Sequence, residues 1–127
     1  MSERIDIYER TFQFACRVLR MDRAVARDRR VNRRAMNQLV DAAGSVGANL
    51  EEARAGQSKA DFYSKLRISL KEARESHYWL RLLRESESIT SKRIDPLLQE
   101  ANEIVAILTT IAKKANPRQP SPPILNS

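Results

Sequence analysis

A chain of 127 residues with a formal net charge of +7 and one cysteine, Cys16, has the length of a single domain and cannot form an internal disulfide. No apolar run reaches the roughly 18–20 residues that a membrane-spanning helix requires, and the start, Met1-Ser-Glu-Arg-Ile-Asp6, is too polar for a secretory signal. A cytoplasmic protein without membrane contact is expected. Only three glycines are present and four of the five prolines follow residue 116, so the first 115 residues are nearly free of helix breakers and predict an all-α domain.

The first predicted helix runs from about Glu3 to Ala26. Ile5, Tyr8, Phe12, Ala15 and Leu19 form one apolar stripe at helical spacing, and Ile7, Phe14, Val18, Met21 and Val25 form a second. Asp6, Glu9, Arg10, Gln13, Arg17 and Arg20 are left for the wet face. One seam serves a bundle; two imply burial against a further subunit as well.

Charge is concentrated where this helix ends. From Arg17 to Arg34 there are eight arginines (17, 20, 23, 27, 29, 30, 33 and 34) against Asp22 and Asp28, a local excess of +6 with no lysine. Guanidinium is suited to bidentate contact with phosphate or carboxylate.

Asn32 is the expected N-cap of the second helix, whose stripe is Met36, Leu39, Ala43, Val46, Leu50 and Ala53. Ala42, Ala43, Gly44, Ser45, Gly47 and Ala48 cluster near its centre. Glycine there costs about 1 kcal/mol relative to alanine, which close helix approach or a bend would offset. Gly56 is expected to end this helix in a left-handed conformation. Ser58, with Asp61 three residues on, is expected to cap the third.

Phe62, Leu66, Leu70, Ala73, His77 and Leu80 form the core stripe of the third helix. Beside it run Arg67, Lys71, Arg74 and Arg81, interleaved with Tyr63 and Tyr78. Asp95-Pro96 predicts the start of the fourth helix, with Asp95 as N-cap and Pro96 in the first helical position. Leu97, Ala101, Ile104, Leu108 and Ile111 lie on a wide apolar arc that exceeds the needs of one small bundle, and Lys113 and Lys114 complement the terminal dipole. Residues 116–127 are proline-rich and expected to be a disordered tail. Four amphipathic helices with short links over residues 1–115 predict an up-down-up-down bundle.

The run Ala48-Asn49-Leu50-x-Glu52-Ala53, followed by Ser58-Lys-Ala-Asp61-Phe62 and by Ile68, Leu70, Ala73, Glu75 and Leu80, resembles the bacterial 23S rRNA intervening-sequence proteins over roughly residues 5–115. Lys71-Glu72 replaces a common Gly-Ser pair, Asp41 replaces a usual cation, and arginine-rich sequence replaces the Phe-Pro and Tyr-Gly-Leu elements between helices 1 and 2. The resemblance implies a left-handed bundle assembling as a homopentamer, without enzymatic activity. It also implies association with ribosomal RNA genes or, as in retroelement accessory proteins, with a reverse transcriptase and its nucleic acid.

Arg20, Arg23, Arg27, Arg29, Arg30, Arg33 and Arg34 are the candidate nucleic-acid-binding residues, because two local acids cannot pair them all. The expected mechanism is phosphate neutralisation with little sequence choice; a solvated or ion-paired face, a protein partner and an acidic membrane are the alternative uses of the cluster. Asn49 and Glu52, three apart, are expected to form a polar network bracing the helix 2–3 junction. Glu72 and Glu75 read as salt-bridged surface, His77 as a hydrogen-bonded core residue, and Cys16 as a packing residue. No phosphate loop, nucleophile–base pair or metal-ligand spacing is present, so no cofactor, metal or catalytic residue is expected. Two functions remain open: a nucleic-acid-binding accessory protein, or an oligomeric scaffold for a protein partner alone.

Overall fold

The computed structural model describes residues 6–118, and every regular element among them is helical. The elements are α1 (Ile7–Ala24), α2 (Arg33–Arg54), α3 (Lys59–Glu85) and α4 (Ser91–Ala115). Each helix packs on its chain neighbours and α1 closes on α4, while the backbones of the diagonal pairs stay apart. Cross-links show the alternation of direction: Asp22 at the end of α1 pairs with Arg33 at the start of α2. Glu52 likewise meets Lys65 at 3.1 Å, and Arg84 meets Asp95 at 2.5 Å. The result is the expected four-helix bundle, with the α1–α2 and α3–α4 turns at one end.

The core is built from the predicted stripes. Phe14, Val18, Met36, Leu39, Val46, Leu50, Leu66, Leu80, Ile104 and Leu108 are essentially inaccessible, each worth about 1.5–3 kcal/mol of transfer free energy. Three buried hydroxyls are satisfied by carbonyl oxygens. Thr11 donates to Ile7 and Tyr8, Ser76 to Glu72, and Ser69 crosses to Val46 of α2 at 2.7 Å. Gly47 faces Thr11, where an added Cβ would sit 3.4 Å from Oγ1, so the small-residue run does permit close approach of α1. Gly44 has no neighbour within 4 Å of that position.

The caps expected from local spacing form. Asn32 accepts from the Ala35 N–H at 2.9 Å and Ser58 from the Asp61 N–H at 3.1 Å. Other boundaries differ. The first helix ends at Ala24 because Val25 and Val31, both buried, tuck the intervening turn into the core. Gly56 is not left-handed, since no described glycine has positive φ. It is small because a Cβ would meet Asp61 Cβ at 3.1 Å and the Ala53 oxygen at 3.2 Å.

The fourth helix starts more than a turn before Pro96, with Thr90 in the cap position but making no side-chain cap bond. Buried Ile89 and Ile94 hold residues 89–94 on the core, and Asp95, instead of capping, reaches Arg84. The turn before it closes as a Schellman motif: Ser88 N–H donates to Leu83 O and Glu87 N–H to Arg84 O, each at 3.0 Å. Glu87 holds the left-handed position, φ 60°.

Two further expectations are revised. Arg10 is not on a wet face but binds Glu100 of α4 at 2.6 and 2.9 Å and also contacts Glu103. The apolar arc of α4 is largely absorbed within the chain, with Leu98, Val105, Ile111 and Ala112 packed against the core. Among the described residues the exposed large apolar side chains are Phe12 and Leu19 on α1 and Ile68, Tyr78 and Leu82 on α3. Most of the proline-rich stretch, residues 119–127, and residues 1–5 lie outside the described residues.

Candidate nucleic-acid interface

The arginine-rich corner is produced by a tight turn with apolar anchors. Val25 and Val31 plug into the core, and backbone bonds from Asp28 N–H to Val25 O and from Val31 N–H to Asp28 O close the segment between them. Everything polar in that segment is forced outward. Arg27, Arg29 and Arg30 are exposed there, Arg20 and Arg23 are exposed on the last turns of α1, and Arg33 and Arg34 are exposed in the first turn of α2.

The two local acids are used within the corner. Asp28 takes Arg30 in a fork of 2.9 and 3.1 Å and also accepts the Arg30 backbone N–H at 2.9 Å. These bonds hold the Asp28 carboxyl below its usual range and raise the Arg30 guanidinium. Asp22 pairs with Arg33, which also donates to Asn37 at 3.3 Å. Arg20, Arg23, Arg27, Arg29 and Arg34 have no carboxylate within 4.0 Å among the described residues. The cluster thus divides into two neutralised and five uncompensated members.

Arg34 sits at an electrostatically unfavourable place. The N-terminal end of a helix carries partial positive charge, yet α2 has no acid in its first turn and begins Arg33-Arg34. Such placement costs about 0.3–1 kcal/mol per cation; Arg33 offsets it through Asp22 and Asn37, whereas Arg34 has no acidic partner among the described residues.

The topology adds cations the linear sequence did not reveal. The α3–α4 turn lies at the same end, where Arg84 is neutralised by Asp95 and by Glu85 at 2.8 Å. Lys92 and Arg93, exposed in the first turn of α4, have no such partner among the described residues. Alternation of four helices was the signal available for this juxtaposition. Residues 17–34 contain no aromatic side chain, so the corner offers charge and bidentate hydrogen bonds but no stacking.

Asn49 and Glu52 are not joined to each other. Asn49 donates to Ser45 O of its own helix at 2.9 Å, while Glu52 crosses alone to Lys65 on α3. Glu72 and Glu75 have no cation within 4.0 Å among the described residues, contrary to the salt-bridged reading. Burial and then the Glu75 charge push the Glu72 carboxyl up. His77 is half-buried and its imidazole forms no hydrogen bond among the described residues; burial and then Arg81 lower its pKa. No group of three or more His, Cys, Asp or Glu among them is placed to hold a metal ion, and no described helix is long and apolar enough to cross a membrane.

The profile of a family described as 23S rRNA-intervening sequence protein matches residues 3–110. The chain belongs to that family. A solved structure from Bacteroides thetaiotaomicron, described as a protein of unknown function from the S23 ribosomal protein family, is similar at 33% identity with a TM-score of 0.78. The match covers 85% of this chain and 99% of that one. No curated protein matches the chain. The matched residues include both the helix 2–3 junction on which the resemblance rested and the arginine-rich corner.

Proposed function

We propose that this member of the 23S rRNA-intervening sequence protein family is a non-enzymatic, oligomeric nucleic-acid-binding protein. Its arginine-rich corner contacts the phosphate backbone, as an accessory to ribosomal RNA or to a reverse transcriptase. The observation that carries the reading is the group of five exposed arginines without acidic partners at one end of the bundle. Each phosphate they neutralise releases condensed cations, giving affinity with little dependence on base sequence.

Assembly as a homopentamer multiplies this field. Phe12 and Leu19, 58% and 52% exposed, lie on α1, while Tyr78 and Leu82, 54% and 40% exposed, lie on the diagonally opposite α3. Two unlike apolar faces on opposite sides favour head-to-tail contact, which closes a ring when the rotation per subunit permits. The same faces support a second reading, an oligomeric scaffold that binds only a protein partner.

The deciding experiment replaces Arg20, Arg23, Arg27, Arg29 and Arg34 together by Gln and measures anisotropy with unrelated duplex RNA and DNA probes. Uniform loss across sequences, with the helical signal and the oligomer retained, is expected. Wild-type protein that binds neither duplex at about 50 mM salt, where phosphate contacts are strong, would transfer the corner to a protein interface and leave the scaffold reading.

A further inference from the structure

At the end of the bundle opposite the arginine corner, the first half of α3 and the residues just after α4 enclose an open groove of about 920 Å³. Its walls carry Tyr63, Arg67, Lys71 and Arg74 from α3 and Arg118 from beyond α4, with Ile68 in the lining. Arg67, Lys71 and Arg74 are exposed at i, i+4 and i+7 on one helix face, which spaces them by about 6 and 4.5 Å along the axis. No carboxylate lies within 4.0 Å of these three or of Arg118 among the described residues.

We infer that this groove is a second, separate site that binds single-stranded nucleic acid, with phosphates tracked by Arg67, Lys71 and Arg74 and a base stacked on Tyr63. The Arg67 guanidinium lies 5.7 Å from the centre of the Tyr63 ring, within cation–π reach. Guanidinium and ring therefore lie together in the groove, a cation beside an aromatic platform, the combination that binds unpaired strands without sequence preference. An acidic peptide would use the cations but not the ring or the apolar contact offered by Ile68, which is 38% exposed. A duplex keeps its bases stacked inward and has nothing to place against Tyr63. The site stands independently of the corner, which has charge but no aromatic group.

The test uses full-length protein carrying the five corner Arg→Gln replacements, so that the groove is read alone, and a fluorescein-labelled 12-nucleotide oligo-uridine probe. The probe is expected to bind, a duplex of the same length to bind much less, and Tyr63→Leu to weaken single-strand affinity roughly tenfold, within the range for one stacked base. Tyr63→Trp should retain binding. The exposed triple change Arg67→Gln, Lys71→Gln, Arg74→Gln should abolish it, and supplies the readout if Tyr63→Leu fails to fold. The groove assignment is overturned if oligo-uridine does not bind this background, if the triple variant binds as well as its parent, or if a hexaglutamate peptide binds more tightly than the oligonucleotide. Duplex binding by the wild type that disappears in the corner variant reports the other site, so either assignment can fail without the other.

Discussion

Arg33 at the start of α2 pairs with Asp22 near the end of α1, eleven residues back along the chain, and so removes the one acid that the last turns of α1 hold against the arginine corner. With Asp28 bound to Arg30, the corner's remaining arginines face solvent uncompensated. Neutralisation here staples the turn and leaves five arginines for the proposed contact with phosphates. Replacing Asp22 by Asn should therefore strengthen duplex binding modestly while loosening the turn. A twofold to fivefold tighter Kd at low salt, on the order of 0.4–1 kcal/mol, with earlier hydrogen exchange between Val25 and Val31, is the expected pair of outcomes.

Arg34 offers a stability–function trade. Arg34→Glu places an acid in the first turn of α2, where it complements the helix dipole, and should raise stability by about 0.5–1 kcal/mol. The same change should weaken duplex binding several-fold. Urea melts and anisotropy on one preparation check both; a variant that is less stable would mean that Arg34 makes a structural contact.

The Arg10–Glu100 pair joins α1 to α4 with only 22% and 16% of the two side chains exposed. Arg10→Ala strands the Glu100 carboxylate and should cost about 1–2 kcal/mol, the lower part of the range for charged hydrogen bonds because the site is not fully dry. The double change Arg10→Met, Glu100→Met should recover much of that loss. A double-mutant cycle in urea measures the coupling.

Glu87 occupies the left-handed position of the α3–α4 turn, φ 60°, where glycine is ordinarily found. Glu87→Gly should stabilise the bundle by about 0.5–1 kcal/mol, the left-handed strain relieved less the extra chain entropy of glycine. A higher melting temperature is the expected result.

Histidine supplies a pH dependence. Burial, then the charge of Arg81, lowers the pKa of His77 below its ordinary 6.5, so the unfolded chain binds the proton more readily. Stability is therefore full above about 6.5 and declines as pH falls from there toward the folded-state value. His77→Gln should flatten this part of the curve, as urea midpoints taken across pH 5–8 would reveal.

What was legible in the sequence was what short-range geometry determines. The α2 stripe, the Leu66, Leu70, Ala73 and Leu80 positions of the α3 stripe and the caps Asn32 and Ser58 are found where local spacing places them, whereas Phe62 and His77 are only half-buried. Asp95-Pro96 misled because a locally good helix start was overridden by burial of Ile94 and by Arg84 across the turn. Arg10 misled because a single-helix projection does not contain Glu100 and Glu103 of α4. The position and sign of the arginine cluster were readable, but its division into paired and unpaired members depends on which acids the fold brings near. The groove on α3 was visible only as a basic stripe beside two tyrosines, since its other wall comes from residues after α4.

Assembly is tested by mass. Five copies of a 14.6 kDa chain weigh about 73 kDa, and sedimentation at micromolar concentration should find that species. Phe12→Ser with Leu19→Ser, both exposed on α1, should reduce it to monomer with the helical signal intact. A wild-type monomer at this concentration would instead assign the exposed faces to another protein.

The most direct test of backbone recognition by the corner is the salt dependence of duplex affinity. With about five phosphates neutralised, log affinity should fall against log salt with a slope of about −4.5 or steeper. Replacing Arg27 and Arg29 by Gln should flatten it by about 2, near 1 per lost contact. A slope close to zero, or one unchanged in that double variant, would contradict phosphate recognition by the arginine corner.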